Sequence, residues 1–145
     1  MILFRPPSPR QTDIGLTILR VILGVVFLAH GWQKLFVMGL PGVTGGFAQM
    51  GIPMPGITAP FITLLELFGG IALIVGLLTR LTAFGFAVAM LVATLLVHMK
   101  NGFFAPKGIE FTLVLMAGAL AIMLAGPGAY SLDALIGRRS RVAIS

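Results

Sequence analysis

Four stretches of the chain carry apolar residues almost without interruption, at roughly 14–36, 58–78, 81–99 and 109–126. Each approaches the length of about 20 apolar residues that a helix needs to cross the hydrocarbon core of a bilayer. The pattern predicts four transmembrane helices. Only Leu78-Thr79-Arg80 separates the second from the third, which predicts an antiparallel hairpin, and Lys100 to Gly108 join the third to the fourth. Between the first two, Val37 to Ile57 hold Gly39, Pro41, Gly42, Gly45, Gly46, Gly51, Pro53, Pro55 and Gly56. That segment is too broken to span. It is expected as a long outer loop, with one turn or two of interfacial helix at Gly46 to Met50. Past Gly126-Pro127-Gly128, Ser131-Leu132-Asp133 are placed to cap a short surface helix before Arg138-Arg139-Ser140-Arg141. The expected fold is an all-α integral membrane four-helix bundle: an N-terminal segment 1–13, a four-helix domain 14–130 and a basic tail 131–145.

Composition supports the same class. Of 145 residues, 58% are hydrophobic and 10% charged, with a mean hydropathy of +1.07. Soluble domains run to about 25% charged residues, and a domain this small has too little interior to hide so much apolar surface. Lipid resolves the mismatch. Arg5 and Arg10 precede the first apolar run, but that run exceeds a secretory signal core and no small-residue cleavage site follows, so it reads as a retained helix.

The net charge of +6 does not point to nucleic acid, because the basic residues lie at helix ends and loops with no interleaved aromatic face. They set orientation instead. With the N-terminus inside, Arg5, Arg10, Arg80, Arg138, Arg139 and Arg141 face the cytoplasm and Lys34, Lys100 and Lys107 face out, six against three. Both termini are therefore expected in the cytoplasm of a multi-pass bacterial inner-membrane protein. Trp32 and Tyr130 read as interfacial anchors. Small residues spaced by four (Ala72 and Gly76; Gly85, Ala89 and Ala93; Ala117, Ala121 and Ala125) predict a compact bundle.

An ionisable side chain at the centre of a membrane helix costs at least about 2.5–3.5 kcal/mol, so each demands a reason. The set is Arg20, His30 and Lys34 on the first helix, Glu66 on the second, His98 closing the third and Glu110 opening the fourth. At about 1.5 Å per residue, His30 and Lys34 lie roughly 7 and 13 Å outward of the first helix's middle, and Arg20 about 7 Å inward. At about 100° per residue all three fall within an arc of roughly 80°, on a face that also carries Gly24, Phe27 and Gly31. A structural reading pairs Glu66 with Arg20 or Lys34 to neutralise buried charge. A functional reading gathers His30, Lys34, Glu66, His98 and Glu110 into an outward-opening polar pocket for an anionic or quinone-like head group, or for a proton relay. Arg20 would then be the outlier reaching back to Glu66.

No nucleophile elbow, phosphate loop or dinucleotide fingerprint is present, and the chain has no cysteine. Two His and two Glu do not follow the ligand spacing of bundle di-metal sites. Neither a catalytic residue nor a metal or haem is expected, and any redox role must borrow its centre. One faint internal echo exists: His30-Gly-Trp-Gln-Lys34 and His98-Met-Lys100 each end a helix and each precede a glutamate, Glu66 or Glu110.

Several motifs together resemble the DoxX family of small bacterial membrane proteins. They are Leu19-Arg20 with Gly24, Phe27 and His30-Gly31-Trp32-Gln33-Lys34-Leu35-Phe36; Phe47 with Gly51-Ile52-Pro53-Met54-Pro55; and Glu66-Leu67-Phe68-Gly69-Gly70 running to Val75-Gly76-Leu77-Leu78-Thr79-Arg80. The resemblance spans about residues 14 to 133. It implies a four-helix membrane bundle related to subunits of quinone-linked sulfur and terminal-oxidase chemistry, and to membrane anchors of oxidoreductase assemblies. It brings no agreed catalytic set. The expectation is a redox-associated membrane subunit whose pocket takes a quinone-like or anionic head group. The alternatives are a non-catalytic accessory subunit of a respiratory or photosynthetic complex, and a small-solute or proton pathway formed by an oligomer. Membrane lipid and other membrane subunits are the expected partners.

Overall fold

A computed structural model of the chain describes residues 6–142, with side chains through Arg138. Arg5 and the side chains of Arg139 and Arg141, which enter the orientation count, lie outside the described residues. The described elements are helical: α1 (Pro9–Trp32), α2 (Gly39–Gln49), α3 (Pro55–Val75), α4 (Thr79–Ala93), α5 (Glu110–Ala125) and α6 (Leu132–Val142). Two π-helical segments extend α1 and α4, Gln33–Met38 and Thr94–His98.

α1 begins five residues earlier than hydropathy indicates. Ser8 Oγ accepts from the Gln11 amide and Gln11 Oε1 accepts from the Ser8 amide, a reciprocal cap that starts the helix in polar sequence. α3 likewise starts at Pro55 and ends at Val75, where Gly76 (φ 74°) turns the chain and the Leu77 amide donates back to Ala72 O. The hairpin turn is thus Gly76-Leu77-Leu78, with α4 already running from Thr79. Asp133 fixes that start from a distance: its two carboxylate oxygens accept from the Leu78 and Thr79 amides, each at 2.8 Å.

The expected outer loop is largely helix. α2 covers Gly39–Gln49 after a break at Gly39 (φ 70°, ψ 154°). Pro41 sits in its first turn, where a missing amide costs nothing. Gly45 and Gly46 each weaken a helix by about 1 kcal/mol relative to Ala. Burial of Val43 and Phe47 against Ala59 outweighs that cost.

α1, α3, α4 and α5 converge on one core of Leu23, Phe27, Leu73, Phe86, Leu115 and Ile122, with Phe27 and Phe86 stacked at 3.7 Å. Because lipid supplies no hydrophobic force between helices, close approach must hold them. α1 and α3 meet backbone to backbone: a Cβ on Gly24 would fall 2.7 Å from Gly70 O, and one on Gly70 would fall 2.6 Å from the Leu28 nitrogen. The row Ala117, Ala121 and Ala125 does not pack inside the bundle. It faces outward, and Ala119 and Gly118 face the core instead, because Leu115 and Ile122 set which side of α5 is buried.

Three helical stretches, Pro9–Gln49, Pro55–Val75 and Thr79–Asn101, are long and apolar enough to cross a bilayer. α5 is apolar but has 16 residues, about 24 Å against a hydrocarbon core of about 30 Å.

Candidate functional site

The six ionisable side chains fall into three settings. Lys34, in the π segment past α1, and Glu66, in α3, form an ion pair in which Nζ donates to both carboxylate oxygens at 2.5 Å. The Glu66 side chain is 4% exposed and that of Lys34 20%. The pair stands at a cavity of about 1230 Å³ whose lining also includes His30, His98 and Thr112 and is otherwise mostly apolar. His30 additionally lies 6.1 Å, ring to ring, from Phe111 of α5. His98 is oriented by a 2.8 Å bond from Nδ1 to the Lys107 carbonyl. Since a carbonyl only accepts, Nδ1 carries the hydrogen and Nε2 is left as the acceptor of the neutral ring.

Two of these residues, Lys34 and His98, lie in the two π-helical segments. Such segments are rare and occur frequently at functional sites. Neither was visible in the sequence, because π geometry leaves no compositional mark.

Glu110 is not part of the cavity wall. Its Oε1 accepts from the Ala105 amide at 2.5 Å, holding the loop in front of α5.

Arg20 does not reach Glu66. It is 2% exposed, and its guanidinium donates to Leu73 O at 2.6 Å, Ile74 O at 2.9 Å and Tyr130 O at 2.7 Å. Those first two carbonyls belong to the last turn of α3, where unpaired acceptors and the negative end of the helix dipole attract a cation. Gly76 packs directly on the guanidinium, with a Cβ there meeting Nη1 at 2.5 Å. Asp13 and Asp133 complete this end, Asp13 Oδ1 accepting from the Ala129 amide at 2.9 Å. Sequence reading missed this cluster because most of its acceptors and donors are backbone groups.

The chain is similar to known bacterial proteins. The DoxX family model matches residues 15–99. "Inner membrane protein YqjF" of Escherichia coli is 33% identical over 129 residues, covering 88% of this chain and 95% of its own. "Putative oxidoreductase CatD" of Bacillus subtilis is 32% identical over 127 residues, covering 88% and 90%. "Inner membrane protein YphA" of Escherichia coli is 32% identical over 124 residues, covering 81% and 87%. No solved structure matches the chain.

Proposed function

The chain belongs to the DoxX family, and from that premise we propose that it is a bacterial inner-membrane subunit of a redox-associated assembly that holds a quinone-like head group beside Lys34 and Glu66. The observation that carries this reading is an ion pair lining a large, mostly apolar cavity whose lining also holds His30 and His98. An ion pair that served only to neutralise charge would need no cavity beside it. A relative named as an oxidoreductase supports the redox side of the reading, and relatives named as inner membrane proteins support the location. In this reading α1, α3, α4 and α5 all span the bilayer, α5 with its flanking turns, and both termini lie in the cytoplasm. The chain binds and positions; electrons come and go through a partner, because the sequence has no cysteine or other redox side-chain set of its own.

The test is a thermal shift on the purified full chain with a tail-less benzoquinone. Saturable stabilisation that disappears in Glu66→Gln is the expected result. No stabilisation, or an equal shift in Glu66→Gln, overturns the head-group site and leaves a ligand-free accessory subunit. Such a subunit would co-purify with a stable partner regardless of His30→Ala or Glu66→Gln.

A further inference from the structure

The walls of the cavity extend far beyond the Lys34–Glu66 pair. Its lining follows α3 from Thr58 to Ala72 and α4 from Leu81 to Val97, roughly 21 and 24 Å of helix. Along that seam Phe61, Leu64 and Phe68 of α3 and Phe84, Val88 and Val92 of α4 both line the cavity and are exposed on the side of the protein. In helices long and apolar enough to cross a bilayer, that side faces lipid.

The seam is built differently from the neighbouring helix contact. α1 and α3 touch through backbone at Gly24 and Gly70, whereas α3 meets α4 through side-chain ends. A Cβ on Gly69 would meet Phe86 Cζ and Thr82 Cγ2, and a Cβ on Gly85 would meet the Leu65 methyl groups at 3.3 and 3.6 Å. Leu65 is only half-buried. The α3–α4 contact is thus made by side chains, and the α1–α3 contact by backbone.

Charge narrows the occupant. The lining's lysine and glutamate, Lys34 and Glu66, are paired with each other. An anionic head would have to pull Lys34 from Glu66 and strand a carboxylate that is 4% exposed. An uncharged head can accept the third Nζ hydrogen of Lys34 through a carbonyl or hydroxyl oxygen, or donate a hydroxyl to His98 Nε2, while leaving the pair intact. At about 1230 Å³ the space exceeds the roughly 300–1,000 Å³ of pockets for drug-sized ligands, leaving room for a chain behind the head.

Resting on the head-group site of the proposed function, we infer that the ligand is a single-tailed amphiphile with an uncharged, hydrogen-bonding head, entering sideways from the lipid with its tail in the α3–α4 seam. The experiment uses the full chain in phosphatidylcholine nanodiscs and a decyl-tailed benzoquinone carrying a diazirine at the tail end. Crosslinks are expected at Phe61, Leu64, Phe68, Phe84 and Val88. Excess unlabelled decyl benzoquinone should reduce them at least about tenfold, and decyl sulfate should not. Gly85→Leu, which fills the seam, and Val88→Trp, at an exposed position that leaves the core untouched, should each remove most tail labelling while tail-less benzoquinone still binds. Seam labelling that resists competition, equal competition by decyl sulfate, or full tail labelling in both variants overturns the inference. Tail labels confined to the loops, with saturable binding of the tail-less quinone, overturn the sideways route and spare the head-group site. Absence of saturable binding by every probe overturns both.

Discussion

Two buried cations of α1 are handled in opposite ways. Arg20 is surrounded by backbone: Leu73, Ile74 and Tyr130 carbonyls take its hydrogens, and Gly76 closes over it. Lys34, fourteen positions along the same helix and its extension, is met by one carboxylate and opens onto a cavity. The Arg20 end ties α1, α3 and the segment before α6 into one unit, and almost every group there is consumed. One exception is Arg20 Nε, buried without a partner. The Lys34–Glu66 end is neutral as a pair and keeps donors and acceptors uncommitted. Sharing one helix face does not imply sharing a role: a cation locked by carbonyls reads as structure, and one balanced by a side chain beside a cavity can exchange partners.

The contrast breaks most decisively at Arg20. Arg20→Ala removes three hydrogen bonds from a charged donor to carbonyls, and such bonds contribute about 1.5–3 kcal/mol each. A loss of roughly 3–5 kcal/mol is expected in reversible unfolding from mild detergent into SDS, with benzoquinone binding lost only in proportion to unfolding. A loss below about 1 kcal/mol would show that the carbonyls find other partners.

At the other end, Lys34→Met or Glu66→Leu alone should cost about 1–3 kcal/mol, the penalty for leaving the other member of the pair without its partner. The double variant Lys34→Met/Glu66→Leu should recover most of that, because replacing both members of a buried pair by apolar groups is often neutral. A double-mutant cycle measures this directly; additive losses would mean the two side chains act separately. Smaller again is Asp133→Ala, which removes the remote cap on α4 and should cost about 1 kcal/mol without affecting ligand binding. Glu110→Gln should fall within about 0.5 kcal/mol and leave binding unchanged. A strong binding defect in Glu110→Gln would enlarge the site beyond the cavity wall.

The apolar helices were legible because hydropathy sums over many residues and tolerates local error. The pairing of Lys34 with Glu66 was legible for a related reason: rise and rotation per residue are nearly constant along α1, and Lys34 lies only two residues past its end. Arg20 failed on the same geometry. Its share of the face was right, but its partners are carbonyls, which every residue has; the early end of α3 at Gly76 makes two of them available and the segment before α6 brings the third. The helix through Gly39–Gln49 was hidden by its glycines, since propensity is local and the burial of Val43 and Phe47 is not. Glu110 sits one residue before the cavity-lining Phe111 and Thr112, a distinction that a boundary read from hydropathy cannot resolve.

The π segments have a consequence for length variation in this chain. A π turn holds one residue more than the α-helix it interrupts. The turn absorbs that residue, so deleting one residue within Gln33–Met38 or Thr94–His98 should restore regular α winding and leave the helix beyond it in register. What such a deletion changes is the widened turn itself, and Lys34 and His98 lie inside the two turns. Their places beside Glu66 and the Lys107 carbonyl are what the extra residue sets.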